Sequence, residues 1–495
     1  MTTDPLVPDV ITSRPLGIME TFFRCRTACG FYKNFQVTST YNQDLQNNLD
    51  LLYKALRKTL IDYAILATNI KYDNQLGTYV YSPINNVKYG DILSIEQNDE
   101  EYLDDKQFVT EKFMKKVNDI TFTLYTNEIL FKLILVDKNQ LCFVVEHTIA
   151  DGLVGNYFHE ILVENLAYCD QQNNTQEYLE NYGPTPDKIT FDSCIFDFES
   201  DKQYIKYSLP PPIDPFLEDI DLDHTYNNPN FHEKVTPKGQ TKWKGRFPES
   251  SPTFTASFKL INFTPSQTRQ IIQKCKSENV TLTSYLEVIQ AISLRHIYPP
   301  NQYMSIKVAM TLRRHYDPTK APVEYQKVLT TPTYKNMGNS PHMGFAENIP
   351  KLSTTLDWDY VRKINTNLFN SARNTRALHI LKPFRDNHDP KSDNPEIFEG
   401  KIGKPMDDSV KISNLGYINV PEYPGDAGRM WTIENMVFAQ DMAFYAADFM
   451  LNCISTPKGG MNLVLSYLER PEMRDGEDME RVVEELRVNM LKYAE

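Results

Sequence analysis

The chain has 495 residues, which is too long for one hydrophobic core of ordinary size and predicts two domains. Its composition, with 41% hydrophobic, 12% aromatic and 24% charged residues, is typical of a globular protein. The formal net charge of −13 argues against nucleic acid or an anionic membrane surface as the main partner, because both bind basic surfaces.

The cysteines and the apolar segments exclude further classes. The seven cysteines are scattered and form no CxxC pair, so neither a disulfide framework nor a metal centre is predicted. Reduced thiols in the cytoplasm are the simplest expectation. Met1–Arg14 lacks the apolar stretch of a signal peptide, and no run of about 18 apolar residues occurs. We therefore expect a protein that is soluble or at most peripheral to a membrane.

The first half of the chain predicts a helix, two strands and a second helix. Apolar residues at helical spacing indicate a helix over Asp44–Tyr63. Two strand-like runs follow at Ile129–Asp137 and Leu141–Glu146, and Leu153–Cys169 is again helical. Ser208–Ser251 is rich in Pro, Asn, Asp, Lys and Gly without a sustained period, which favours a connection between domains and not an element of a core.

The second half repeats the mixture of helices and strands. The predicted helices are Pro265–Asn279, with Thr264 as its N-cap, Leu282–Arg295 and the amphipathic Met479–Ala494. The predicted strands are Ser305–Thr311, Lys411–Ile418, Glu434–Phe438 and Met461–Tyr467. Mixed elements in both halves predict an α/β protein.

His147 is the strongest candidate for a catalytic residue. It stands between an apolar strand and a helix, so it is expected at the end of a strand, where α/β sheets place functional groups. Imidazole suits a general base because its ordinary pKa is close to the working pH. The local sequence fits a buried histidine bonded within a loop equally well.

Two residues after His147 complete a short pattern. Asp151 could orient the imidazole ring, or could hold the turn by pairing with an arginine elsewhere. Gly152 has no side chain, so a ligand or a neighbouring strand can approach. A histidine followed four residues later by aspartate is a weak motif, and the glycine and the strand-before, helix-after setting make it more specific.

The segment His147–Gly152 resembles the HxxxDG signature of the coenzyme-A-dependent acyltransferase superfamily, to which the plant BAHD enzymes and condensation domains belong. Within it the chain is most similar to the fungal alcohol acetyltransferase family, over nearly its full length. The other stretches that carry the resemblance are Arg14–Gly17 with Glu20, Tyr32–Phe35, Leu209–Ile213, Phe263–Ser266, Thr281–Leu286, Ser413–Gly416 and Gly460–Leu463.

The resemblance implies a chloramphenicol-acetyltransferase-like fold, with two domains of mixed sheets and a channel between them. The implied boundaries are an N-terminal domain over 1–215, a crossover over 216–255 and a C-terminal domain over 256–495. Acetyl-CoA and the acceptor would enter the channel from opposite faces and meet at His147. The resemblance implies no metal.

The resemblance also implies roles for the other site residues. Asp151 would point away from the substrates and pair with an arginine of the second domain, for which Arg313 and Arg314 are the candidates. Ser413 and Asn414 would lie near the channel, where they could help to bind the thioester carbonyl as it becomes an oxyanion.

The chain departs from the superfamily in several places. The DFGWG motif of the plant enzymes is absent, and Glu146 stands where condensation domains usually place a second histidine, which favours free CoA over a carrier-bound donor. The residues that bind the CoA phosphates stay unassigned: Lys274, Lys276, Lys401 and Lys404 are more typical of solvated surface. Five aromatic residues could line an apolar acceptor tunnel, although such spacing is more typical of a core: Trp431, Phe438, Phe444, Tyr445 and Phe449.

The function expected from the resemblance is transfer of an acetyl group from acetyl-CoA to an apolar alcohol, which gives an acetate ester. Transfer to a long-chain, sphingoid-type amine is the alternative, and a non-catalytic or carrier-protein-binding relative is the third. A monomer in the cytoplasm is expected, with peripheral association at the endoplasmic reticulum or lipid droplets as the alternative location.

Overall fold

The computed structural model describes residues 10–97, 101–172, 175–218, 221, 223, 237–243, 255–350, 355–373, 381–404, 406, 408–443, 445–469 and 475–495. The helices within them are α1 Ile18–Ala28, α2 Leu49–Asp62, α3 Tyr89–Ile92, α4 Glu111–Asn118, α5 Gly152–Gln171, α6 Gln176–Tyr182, α7 Phe198–Asp201, α8 Pro265–Ser277, α9 Leu282–Ser293, α10 Val323–Thr330, α11 Trp358–Arg373, α12 Leu381–Asn387, α13 Pro395–Glu399 and α14 Asp475–Lys492. The strands are β1 Arg14–Pro15, β2 Phe35–Tyr41, β3 Thr68–Asp73, β4 Thr78–Pro83, β5 Val87–Lys88, β6 Leu93–Glu96, β7 Phe131–Val136, β8 Gln140–Val145, β9 Cys194–Phe196, β10 Thr241–Lys242, β11 Ala256–Phe263, β12 Gln302–Thr311, β13 Pro341–Ile349, β14 Val410–Tyr417, β15 Tyr423–Pro424, β16 Met430–Trp431, β17 Ile433–Gln440, β18 Phe449–Thr456 and β19 Gly460–Leu468.

Two mixed sheets organise the molecule. The first sheet has the order β17-β2-β8-β7-β6, antiparallel except for the parallel pair β6–β7. The second has the order β10-β12-β14-β18-β19-β11, with β13 also pairing with β12. Its first four strands pair in parallel and the remaining pairs are antiparallel. The prediction of an α/β fold with mixed sheets is confirmed.

The C-terminal half contributes one strand to the first sheet. β17 comes from the C-terminal half but pairs with β2 at the edge of the first sheet. It also joins the two sheets, because the Asn462 amide of β19 donates to the Asn435 side chain at 2.7 Å and to the Met436 carbonyl at 2.6 Å. The domain boundaries over 1–215, 216–255 and 256–495 stay a prediction, and β17 crosses that division.

Four hydrophobic clusters form the interior of the described chain, and the three largest relate directly to the two sheets. One fills the space between the first sheet, α2 and α5, and a second lies between the second sheet, α8, α9, α11 and α14. A third cluster joins the halves and includes Ile134 and Val144 of the first sheet with Phe258 and Val464 of the second. Burial of this shared apolar surface holds the two halves together.

The predicted elements of the site region are close to those observed. The helix predicted over Leu153–Cys169 is α5, and the two predicted strands before it are β7 and β8. The Thr264 hydroxyl accepts a hydrogen bond from the Gln267 N–H at 3.3 Å, which confirms this N-cap of α8.

Two features of the sequence were misread. The opening of Ser208–Ser251 belongs to the first core, since Leu209, Ile213 and Phe216 are buried there, so the expectation that this segment avoids a core is wrong for these residues. The error arose because these apolar residues occur among prolines and show neither helical nor strand periodicity in the sequence. Strand β18 was not predicted, because it is buried on both faces and shows no alternation of polar and apolar residues.

Candidate active site

His147 lies in the loop between β8 and α5, and aromatic rings surround it. The Phe23 ring of α1 stacks on the imidazole with centroids 4.0 Å apart and an angle of 6° between the planes. Tyr32 lies 5.5 Å away and Phe35 of β2 contacts the imidazole by its edge at 5.2 Å. Only 7% of His147 is exposed, so the ring meets solvent through a small opening.

The environment keeps the imidazole neutral. Burial, and after it the nearby Arg26 guanidinium, lowers the pKa of His147 to about 3, while Asp151 acts in the opposite direction. The sequence argument assumed a pKa close to the working pH, and the structure differs because the ring is enclosed by aromatic side chains. His147 is therefore unprotonated at neutral pH, which is the form a general base needs.

Asp151 is held by four hydrogen bonds. Arg313 donates to its two carboxylate oxygens at 2.6 and 3.0 Å. The backbone N–H groups of Val154 and Ser340 donate to the same carboxylate at 3.1 and 3.0 Å, and the first of these caps the N-terminus of α5. Asp151 therefore fixes the turn and the start of the helix, and among the described residues it makes no hydrogen bond to the imidazole.

Of the two candidate arginines, Arg313 is the one that pairs with Asp151. Its guanidinium also donates to the Gly338 carbonyl at 2.6 Å and to the Asn336 carbonyl at 3.1 Å. The Arg314 guanidinium donates to the His315 ring instead, at 3.2 Å. Adjacent arginines look alike in a sequence, and the path of the chain after β12 decides between them.

A second polar contact pins the loop from the C-terminal half. The Asn339 amide donates to the carbonyl oxygens of His147 and Thr148. The Tyr81 hydroxyl also donates to the Thr148 carbonyl at 2.8 Å, and the Thr148 N–H donates to the Glu146 carboxylate at 2.6 Å. Asn339 was not predicted from the sequence, because the sequence of a polar loop does not indicate which distant backbone groups its side chains contact.

Side chains from two strands pack closely against Gly152. A Cβ atom at this position would lie 2.7 Å from Leu415 Cδ2 of β14 and 3.2 Å from Phe438 Cζ of β17. Of the two reasons offered for the glycine, close approach of a neighbouring strand agrees with these side-chain contacts, and access for a ligand stays a prediction. Gly152 lets the second sheet pack directly against the start of α5.

Ser413 and Asn414 lie on opposite faces of β14. The Asn414 amide donates to the Thr283 hydroxyl of α9 at 3.1 Å and its oxygen accepts from the Gly416 N–H at 2.9 Å. Ser413 alternates with it and shares the face of Leu415, which packs against the first core beside Gly152. Ser413 is thus the better placed of the two to reach the side of His147.

A second histidine near the site, several of the candidate aromatics and Lys274 have structural contacts. His159 of α5 is fully buried, with its two ring nitrogens 3.0 Å from the Tyr41 hydroxyl and 2.9 Å from the Val37 carbonyl oxygen. Of the five aromatics, Trp431 donates to Asp170 at 2.9 Å, Phe449 is in the second core and Phe444 lies outside the described residues. Lys274 forms an ion pair with Glu278 at 3.3 Å.

Within the described ranges no group of three or more His, Cys, Asp or Glu side chains is arranged to hold a metal ion. No helix in that part of the chain is long and apolar enough to cross a bilayer.

The fold is that of the coenzyme-A-dependent acyltransferases. The structure of TRI3 trichothecene 15-O-acetyltransferase from Fusarium sporotrichioides aligns with a TM-score of 0.63 at 12% identity, over 97% of this chain and 95% of that chain. The condensation domain of the monacolin K polyketide synthase MokA aligns with a TM-score of 0.56, also at 12% identity, over 97% of each chain. The predicted fold class is confirmed.

The sequence comparisons give the family. A model of the alcohol acetyltransferase family matches residues 15–489, so the chain belongs to this family and is an acyltransferase. The probable alcohol acetyltransferase FCK4 of Fusarium pseudograminearum is 23% identical over 346 residues, which are 67% of this chain and 63% of FCK4. The N-acetyltransferase SLI1 of Saccharomyces cerevisiae is 20% identical over 487 residues, which are 91% of this chain and 94% of SLI1.

Proposed function

We propose that the protein transfers an acetyl group from acetyl-CoA to the hydroxyl of an apolar alcohol, with His147 as the general base. The observation that carries this proposal is the imidazole enclosed by aromatic rings at the end of β8, whose loop is fixed by contacts from both halves of the chain. Membership in the alcohol acetyltransferase family supports the reaction class.

The proposed reaction is direct attack in a ternary complex. The acceptor oxygen bonds to the acetyl carbon while His147 takes the hydroxyl proton, and the carbonyl oxygen becomes an alkoxide. Collapse of this intermediate breaks the C–S bond, the electron pair leaves on sulfur, and the imidazolium returns the proton to the thiolate. Ser413, on the strand face beside Leu415, is the candidate donor to the alkoxide.

The apolar surroundings support an apolar acceptor. Phe23 and Phe35 flank the imidazole, and Phe438 with Leu415 closes the side at Gly152. Rings of this kind exclude water, which would compete with the alcohol for the acetyl group.

Transfer to a long-chain amine is the second candidate. It is favoured by SLI1, which matches this chain over nearly its full length and is named as an N-acetyltransferase. An amine must lose its proton before it attacks, so this reaction would slow steeply as the pH falls below the pKa of the ammonium.

The test is release of free thiol from acetyl-CoA by the purified protein with a panel of apolar alcohols and long-chain amines, with products identified by mass spectrometry. We expect esters, and a loss of at least about 10²-fold in kcat for His147→Ala. His388→Ala, which removes a partly exposed histidine stacked on Phe384, is the matched control.

Thiol release that His147→Ala leaves unchanged would overturn the role of the base. If the products are amides and no esters form, the acceptor is an amine and the assignment of an alcohol is wrong. No thiol release with any acceptor would favour the non-catalytic alternative.

A further inference from the structure

Arg26 differs from the other buried arginines of the described chain. The three others all have a carboxylate partner: Arg14 with Glu20, Arg24 with Asp393 and Arg57 with Asp201. Arg26 is 9% exposed, and among the described residues it has no ion pair within 4.0 Å. Its Nε and Nη2 atoms are sealed from solvent without a hydrogen-bond partner there. Its guanidinium is therefore buried without a direct carboxylate partner in the described part of the chain.

Arg26 shares its neighbours with His147. The guanidinium carbon lies 3.7 Å from the centre of the Tyr32 ring and 4.6 Å from the centre of the Phe23 ring. These two rings also contact the imidazole. Stacking on aromatic faces stabilises a guanidinium without removing its charge. A full positive charge is thus held beside the base.

The adjacent carboxyl of Glu146 makes no ion pair with Arg26. Glu146 accepts hydrogen bonds from the Thr27 hydroxyl at 2.5 Å and from the Thr148 N–H at 2.6 Å, and it is too far from Arg26 for an ion pair. Burial raises the pKa of Glu146 above its ordinary value, and the nearby Arg26 guanidinium acts in the opposite direction. Asp441, the other acid near Tyr32, accepts from the Lys33 N–H at 2.8 Å.

A cation next to His147 slows proton transfer to the imidazole unless a negative charge forms nearby in the same step. When His147 takes the acceptor proton it becomes positively charged, and Arg26 opposes that step by repulsion. The same step creates a negative charge, first on the carbonyl oxygen of the thioester and then on sulfur. A fixed cation in a water-poor pocket stabilises such a charge far more than it would in water.

We propose that Arg26 supplies the positive charge that stabilises the anion formed when the acetyl thioester is attacked. This inference rests on the proposed reaction at His147. In this mechanism His147 carries the positive charge as the imidazolium. Arg26 stabilises the negative charge, first on the alkoxide and then on the thiolate. It also disfavours a protonated amine in the same pocket, so an amine acceptor must enter as the free base.

The test compares three variants in the thiol-release assay. For Arg26→Gln we expect a loss of about 10- to 100-fold in kcat, with both KM values within about 3-fold of wild type. Arg26→Lys, which keeps the charge, should recover most of that loss. Arg269→Gln removes an exposed arginine of α8 and should have no effect. An unchanged kcat in Arg26→Gln would overturn the proposal, as would a loss that appears only in KM or that lysine does not reduce.

A second measurement uses the wild-type protein alone and needs neither turnover nor a folded variant. The affinities for CoA and for its analogue without the sulfur are measured from pH 7 to pH 9.5. A cation beside the sulfur predicts that CoA binds more tightly as its thiol ionises, whereas the analogue does not change in this way. Parallel curves would overturn the proposal even if His147→Ala confirms the base, so its failure is distinct from failure of the reaction.

Discussion

Two buried histidines, twelve positions apart, show how the same side chain serves different ends. His159 lies inside α5, and both of its ring nitrogens are within hydrogen-bonding distance of a protein group, at Tyr41 and at Val37. His147 lies in the loop before α5, where its ring is packed among aromatic rings and no hydrogen bond joins it to another side chain of the described residues. Burial lowers the pKa of both, to about 4 and about 3.

The two histidines differ in the hydrogen bonds that their ring nitrogens make. A fully bonded imidazole contributes to stability and has no free nitrogen for a substrate. An imidazole that is fixed by ring stacking and by bonds to its loop needs no hydrogen bond from another side chain to hold it in place. Burial and a lowered pKa therefore do not by themselves identify a catalytic histidine.

The largest expected effect concerns the fixation of the His147 loop. Arg313→Ala leaves the buried Asp151 carboxylate without its cation and should lower the free energy of unfolding by about 3–5 kcal/mol. Asp151→Asn added to that variant should recover part of the loss, because it removes the stranded charge. Urea unfolding of the three proteins measures both effects.

Arg314→Ala is the matched control for this prediction. Its guanidinium contacts the His315 ring and no carboxylate within the described residues, so a change of about 0.5 kcal/mol or less is expected. Equal effects at the two arginines would contradict the assignment of Arg313 as the group that fixes the loop.

The second prediction separates His147 from a histidine of ordinary pKa. Because its pKa is about 3, the base is already neutral at pH 5, and kcat/KM for the alcohol should be flat between about pH 5 and pH 8. A histidine with a pKa near 6.5 would instead lose about tenfold in rate for each pH unit below that value. Initial rates across this range, in buffers that leave the protein folded, decide between the two.

The smallest effect is expected at His159. His159→Leu leaves the Tyr41 hydroxyl and the Val37 carbonyl unpaired and should lower the free energy of unfolding by about 1–3 kcal/mol at pH 7.5. The rate per folded molecule should stay within about 3-fold. A larger loss of activity would break the contrast between the two histidines.

The same variant has a pH dependence whose sign is fixed. The unfolded chain protonates His159 below about pH 6.5, whereas the folded chain keeps it neutral down to about pH 4. Its contribution is therefore complete above pH 6.5 and is lost as the pH falls through that window. The stability gap between wild type and His159→Leu should narrow from pH 7 to pH 4.5.

Local features of the site were predictable and distant ones were not. The strand, loop and helix around His147 follow from periodicity and turn residues within about thirty positions, and they were placed to within a few residues. The choice of Arg313 over Arg314, and the contact of Asn339 with the loop, depend on segments that meet only in the folded chain. Periodicity contains no information about such pairings.

The sequence around Arg26 contains a sign that this residue lacks a local acidic partner. On a helix a cation finds its local partners three or four positions away, and at those distances Arg26 has Phe22, Phe23, Cys29 and Gly30. A helical arginine without an acid in reach must find its anion elsewhere. The sequence could raise that question, and only the contacts with Phe23 and Tyr32 place the charge beside His147.

The strand β17 contributed by the C-terminal half has a consequence for biosynthesis. The edge of β2, which carries Phe35 against the imidazole, is covered only when Ile433–Gln440 pairs with it. The ribosome synthesises most of the chain before this segment. Until then the edge of the first sheet exposes unpaired backbone N–H and C=O groups, and such an edge promotes aggregation. A fragment that stops before residue 433 should misassemble unless the missing strand is supplied, fused to it or added as a separate peptide.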